Sequence, residues 1–202
     1  MVFRLRSGPP ILLPVLLLAL HFGAGPASAK KPSSPDDLFN PFLGVEYSYW
    51  LVGPIAIIAS EEEISQFLAL QSDEAAKTFV EEFWKKRNAG TEPFKKTPRQ
   101  LFEQRAAEAD RRFSERTYPG RRTDRGAIFV VYGEPEKIVF ESPQTTTGYT
   151  QEVWYYPKKP ENGLDLEKPK RLYKFVEIEG RTVFFRNQTK RPDPRDQLRQ
   201  RN

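Results

Sequence analysis

The spacing of apolar residues changes once along this chain, at Tyr118-Pro119-Gly120, and that change sets the fold class. Before it, apolar side chains recur at helical intervals. Ser60-Glu61-Glu62-Glu63 reads as a capping box, and Ile64, Phe67 and Leu68 then fall on one helix face. A second helix is expected to start near Ser72, with Asp73 and Glu74 at its positive end. Its apolar face is Ala76, Phe79, Val80, Phe83 and Trp84, and Asn88-Ala89-Gly90 stops it after Lys85-Lys86-Arg87. Thr97-Pro98-Arg99-Gln100 is a third start, followed by the stripe Phe102, Ala106, Ala109 and Phe113. The short apolar run 55–59 reads as an edge strand or a buried approach to the first helix.

After the switch the apolar residues come in short runs. The segment 127–132, Ala-Ile-Phe-Val-Val-Tyr, is continuously apolar and rich in β-branched and aromatic residues, which predicts a central strand buried on both faces. Further strands are predicted at 137–141, 152–156, 172–178 and 181–186, the last two joined at Glu179-Gly180. The expected fold is α+β: an N-terminal three-helix segment packed on a C-terminal antiparallel sheet of about 4–5 strands.

The start of the chain carries a different pattern. Arg4 and Arg6 precede an apolar run at 11–20, and Ala27-Ser28-Ala29 closes it with small residues. This is the three-part layout of a secretory signal, with cleavage expected after Ala29. The run is shorter than the ~20 residues a bilayer span needs, so no transmembrane span is expected after cleavage. Removing 29 of the 202 residues also removes Met1 and His21, the only Met and His, in a chain that has no Cys. Catalysis by a Ser-His-Asp or Cys-His set is thereby excluded from the mature chain, as are zinc and iron–sulfur sites. No metal and no cofactor are expected. The expected organisation is a signal at 1–29, a Pro-rich linker and packing segment at 30–54, the α+β domain at 55–186 and a basic disordered tail at 187–202. The stretches 30–37 and 190–202 are expected to be mobile, being poor in apolar side chains. From Arg186 onward the tail has six basic against two acidic side chains, a net +4 that exceeds the +3 of the whole mature chain (32 − 2 − 27), so no basic face is expected on the domain and no nucleic acid as partner.

Arginines crowd the stretch 105–126. That pattern is compatible with a solvated helix face and with a cationic rim for an anionic glycan, lipid headgroup or carboxylate. Within it, Thr123-Asp124-Arg125-Gly126 joins the helical half to the sheet half. Asp and Thr there can accept backbone N–H bonds, and Gly allows close approach. Asp124 is expected to fix the turn in this way and to pair with Arg105.

The order of these motifs resembles the GWxTD domain family of exported bacterial proteins. It rests on Phe83-Trp84-Lys85-Lys86-Arg87, on Arg105 within 102–113, and on Gly120-Arg121-Arg122-Thr123-Asp124-Arg125-Gly126. Tyr132-Gly133-Glu134-Pro135 and Glu152-Val153-Trp154-Tyr155-Tyr156 continue it. The signature Trp is replaced by Arg121. The resemblance marks Arg105, Gly120, Thr123, Asp124, Arg125, Gly126, Gly133, Pro135 and Trp154 as a binding or structural motif, and implies a periplasmic or secreted location without a mechanism. Tyr-Gly-x-Pro, Trp-Tyr-Tyr and a closing strand pair are also similar to small lipoproteins that assist outer-membrane protein assembly. The expected role is a non-catalytic binding or scaffolding module of the cell envelope, its partner another envelope protein or an anionic envelope component. The alternatives are a hydrolase of envelope glycans using Asp124, Glu134 and Glu152, or an accessory factor of outer-membrane assembly.

Overall fold

The computed structural model describes residues 35–93, 95–142 and 148–185. The leader expected at 1–29 and the tail expected at 187–202 lie outside them, and of the stretch 30–37 only 35–37 lie inside. There a 3-10 turn over Pro35–Leu38 brings Leu38 into the apolar core.

Two short helices follow, α1 (Val45–Ser48) and α2 (Pro54–Ile58). The apolar run at 55–59 is therefore helical rather than an edge strand. Pro54 supplies the pre-set φ of a first helical turn, and Ile55 and Ile58 are buried by it. The next three helices start where the sequence offers an oxygen to the orphan amides. Ser60 Oγ accepts from Glu63 N–H (3.1 Å) while the Glu63 carboxylate takes the Ser60 N–H (2.9 Å), opening α3 (Glu61–Leu68). Ser72 caps α4 (Asp73–Asn88), and Thr97 with Gln100 forms the box that opens α5 (Pro98–Phe113).

The largest departure from expectation is the segment 127–132. It forms the second half of a helix, α6 (Asp124–Tyr132), and not a central strand. The physical reason is its surroundings. Val131 packs with Leu51, Ile55, Phe67, Phe83 and Trp84, whereas Ile128, Phe129 and Val130 pack with Ala106, Phe113, Trp154 and Phe175. A helix enclosed on all sides is apolar on all sides, so it shows no helical stripe.

Four strands complete the fold: β1 (Lys137–Glu141), β2 (Gln151–Tyr155), β3 (Leu172–Ile178) and β4 (Arg181–Phe184). They form one antiparallel sheet in sequence order, with Trp154 opposite Tyr173 and Phe175 opposite Phe184. Glu179 (φ 53°) and Gly180 (φ 74°) both take the left-handed region, as a two-residue hairpin turn requires. The architecture is thus mixed helix and sheet, with six α-helices and four strands among the described residues.

One ion pair ties the first helices together. Arg87, at the end of α4, reaches both oxygens of Glu63 (3.0 and 2.7 Å) and the carbonyl of Ile58 (3.1 Å), its guanidinium stacked over the Phe83 ring. Burial acts to raise the Glu63 carboxyl, but hydrogen bonds from Arg87 and the Ser60 amide, with the charges of Arg87 and Lys86, hold it down at about 2, below its ordinary 4.5. A carboxyl with a depressed folded-state pKa contributes stability above its unfolded value, and loses it as pH falls toward the folded one. Glu63→Gln is therefore expected to cost about 2–3 kcal/mol at neutral pH. That deficit should shrink between pH 4.5 and about 2, as urea midpoints measured across this range will show. A deficit that is flat in pH would exclude the ion pair as its source.

Candidate functional site: a helix-to-sheet joint and an adjoining cleft

Thr123 makes the joint between the turn that follows α5 and the start of α6. Its hydroxyl donates to Gly120 C=O (2.8 Å) and accepts from Gly126 N–H (3.1 Å), so one side chain closes the 3-10 turn Gly120–Arg122 and caps α6. Gly120 and Gly126 are needed for space. A Cβ on Gly126 would overlap the carbonyl oxygen of Gly120, and one on Gly120 would overlap that of Ala109. The backbone of the turn is thus wedged between the end of α5 and the start of α6.

Asp124, next along α6, accepts the N–H of Phe184 in β4 (2.7 Å), which fastens the helix to the last strand. The acceptor role expected of Asp124 is present, but its partner lies 60 residues away. Arg105 does not pair with it. Its guanidinium instead donates to the carbonyls of Val130 (3.2 Å) and Val131 (3.0 Å), a cation at the negative end of α6. Asp124→Ala is expected to cost about 1.5–3 kcal/mol, because it strands the Phe184 amide and removes a carboxylate from the first turn of α6. A melting curve coincident with the wild type would refute the structural role.

Arg125 carries the densest polar contact. Its guanidinium bridges Glu115 (3.0 Å) and Glu152 (2.9 Å), with side chains 20%, 9% and 13% exposed. The remaining carboxylate oxygens are also used: Glu115 accepts the Thr182 N–H (3.0 Å), and Glu152 accepts the indole N–H of Trp154 (2.7 Å). Gly133 (φ 81°) ends α6, lies against the Arg105 guanidinium, and takes the Tyr156 hydroxyl on its carbonyl (2.9 Å). Pro135 is buried just beyond. Arg121, where the signature has Trp, forms a forked contact with Asp110 of α5: its Nε and backbone N–H each lie 2.8 Å from a carboxylate oxygen. Arg121 thus docks the turn onto α5 by charge.

The nine residues singled out from the sequence fall at the two ends of α6: Gly120, Thr123, Asp124, Arg125 and Gly126 at its start, with Trp154 of β2 reached through Glu152, and Arg105, Gly133 and Pro135 at or just beyond its end. The three acids considered for hydrolysis do not converge. Asp124 faces β4, Glu152 is held by Arg125 and Trp154, and Glu134 pairs with Arg112 (2.8 Å). Among the described residues no group of three or more His, Cys, Asp or Glu is placed to hold a metal ion, and no helix is long and apolar enough to cross a membrane.

Beside the joint opens a cleft of about 1050 Å³. Ala56 and Ile57 of α2 and Ile64 of α3 form one wall, Ile128 and Tyr132 of α6 the floor, and Leu172, Tyr173, Phe184 and Phe185 the other wall. Glu61, Asp165, Glu167, Lys170 and Lys174 give it a charged rim. The Tyr132 hydroxyl donates to Asp165 (2.6 Å). Burial, followed by that hydrogen bond, pushes the Tyr132 phenol well above its ordinary value, and burial raises Tyr173 too. Both therefore present neutral hydroxyls. An apolar floor with a few fixed polar groups is the arrangement of a binding site. None of the nine residues marked in the sequence lines it. No spacing in the sequence signals the cleft, since its walls come from segments about a hundred positions apart.

A mixed helix-and-sheet domain whose two halves meet at a Thr-capped, glycine-wedged turn is the class these features define. The family model of the GWxTD domain matches residues 40–176, about two-thirds of the chain, and the protein belongs to that family. Comparison with curated proteins and with solved structures produced no match.

Proposed function

We propose that this protein is an exported, non-catalytic binding or scaffolding module of the cell envelope, and that its cleft is the surface offered to a partner. The observation that carries the reading is the position of the cleft. It is walled by α2, α3, α6 and the β3–β4 hairpin, so an occupant would touch both halves of the domain at once. Its apolar floor and mixed-charge rim suit an amphipathic segment of another envelope protein. The leader pattern ending at Ala29 supports export, with the mature chain acting in the periplasm or outside the cell.

Ala56→Trp is the test. Ala56 is half-buried on the cleft wall, and an indole there would obstruct that wall at a distance in sequence from the joint. A partner recovered with the wild-type protein from the envelope fraction of the native host is expected to be lost with Ala56→Trp, while the thermal midpoint moves by no more than ~2 °C. The protein from that host should also begin at Lys30. Equal recovery of the same partner by both proteins would exclude the cleft as its site, and a mature chain retaining residues 1–29 in the cytoplasmic fraction would end the export reading.

A further inference from the structure

Among the described residues β1 has a strand on one side only, since the sheet order is β1-β2-β3-β4. Which of its backbone groups face outward follows from the register. In an antiparallel ladder, every second residue turns both backbone groups to the same neighbour. Tyr156 N–H donates to Arg171 C=O (3.1 Å), so Glu152, Trp154 and Tyr156 are turned toward β3, and Gln151, Val153 and Tyr155 toward β1. Opposite these last three stand Glu141, Val139 and Lys137, which leaves Ile138 and Phe140 to point their backbone groups away from the sheet. The side chains of Ile138 and Phe140 lie on the face that carries Trp154 and Phe175, yet they are 36% and 68% exposed. Lys137, Val139 and Glu141 lie on the other face.

We propose that β1 pairs with β1 of a second copy of this chain, antiparallel about a twofold axis at Val139, so that the two sheets join into one. The order of side chains carries it. Lys137-Ile138-Val139-Phe140-Glu141 is cationic at one end, anionic at the other and apolar between. Reversed against itself, with the two Val139 residues opposed, it sets Lys137 of each copy opposite Glu141 of the other. The outward-facing Ile138 then meets Phe140 of the second copy, and each such pair exchanges both its backbone bonds. Sliding the register by two residues either way keeps those bonds but sets a charge against Val139. A parallel pairing sets Lys137 against Lys137, and like charges directly opposed are destabilising. The strand also has neither a bulge nor a proline to deter pairing: it runs five consecutive residues in register with β2. Being isologous, the contact closes at two copies. No β1 residue lines the cleft, so the pairing stands whether or not the cleft takes a partner.

Sedimentation of the protein purified from its host, over rising concentration, tests the pairing. Two strands this short make a small interface, so monomer and dimer are expected to exchange in the micromolar range. Lys137→Glu opposes like charges at both ends of the pair and is expected to weaken the dimer about tenfold or more. Its thermal midpoint, taken where both proteins are monomeric, should match the wild type, because Lys137 is exposed. The absence of Cys supplies a second readout. Val139→Cys puts one thiol on the axis and should oxidise readily to a linked dimer, since opposed residues outside the bonded pairs have Cα atoms about 4.5 Å apart. Glu136→Cys, about 20 Å from its copy in this register, should crosslink at least tenfold more slowly. A protein that stays monomeric throughout, a dimer as strong in Lys137→Glu as in the wild type, or equal crosslinking at positions 136 and 139 overturns the proposal. Should Val139→Cys fail to fold, the Lys137→Glu comparison decides alone.

Discussion

Gly126→Ala is expected to destabilise the domain by about 3–5 kcal/mol, a fall of about 10 °C in the thermal midpoint. Gly126 lies inside α6, where alanine would ordinarily gain up to ~1 kcal/mol from helix propensity. The sign is decided by contact. The added Cβ would overlap the Gly120 carbonyl oxygen and crowd the Arg121 Cα, and these are backbone atoms of a turn already wedged against α5. Relief requires moving α6, which is packed on both cores. Gly90→Ala is the control. Gly90 has φ +78° with nothing near its added Cβ, so only backbone strain opposes the change and about 1 kcal/mol is expected. Urea denaturation of the two variants separates crowding from conformation. Near-equal losses would show that the turn yields easily and that its glycines do not serve close packing.

Asn40→Ala is expected to cost about 3–4 kcal/mol. Asn40 is completely buried. Its amide nitrogen lies 3.1, 3.4 and 3.0 Å from the carbonyls of Phe67, Leu68 and Leu70, around the C-terminal end of α3, and its oxygen accepts the Phe42 N–H (3.0 Å). Alanine removes these bonds where water has little access, leaving the Phe67 carbonyl only the Leu70 N–H (3.2 Å), and opens a void beside Phe67. Asn40→Asp discriminates further. An ionised carboxylate cannot donate and faces carbonyl oxygens, whereas the protonated acid can donate once, so the aspartate variant should be weaker at neutral than at mildly acid pH. Thermal melts at the two pH values check this, and an aspartate variant as stable as the wild type at neutral pH would remove Asn40 as the clamp on α3.

Much of the helical half is legible from the chain alone, because helix starts are local chemistry. Ser60 with Glu63, Ser72, and Thr97 with Gln100 each act within three residues, and the structure has each bond. The strands at 137–141 and 172–178 are legible for the same reason, as is the hairpin at Glu179-Gly180. The segment 124–132 is the instructive exception. Its helix signals are present: Thr123 as cap, Asp124 in the first turn, and Gly133 past the end. A run of six apolar residues rich in β-branched and aromatic side chains outweighs them when only periodicity is read. Burial on every side erases the period that distinguishes a helix from a strand.

The sequence by itself determines the places where the chain can start and stop an element, the helix-then-strand order, and the motif that marks the family, since all of these depend on neighbours a few residues apart. Tertiary structure alone decides which partners the motif residues hold and where the cleft opens. Asp124 is 60 residues from the amide it holds, Arg125 joins Glu115 to Glu152, and the cleft has walls from α2 and from β4. Such pairings arise only when α6 is buried between two cores, because it is that packing, and no local preference, that brings distant polar groups within bonding distance.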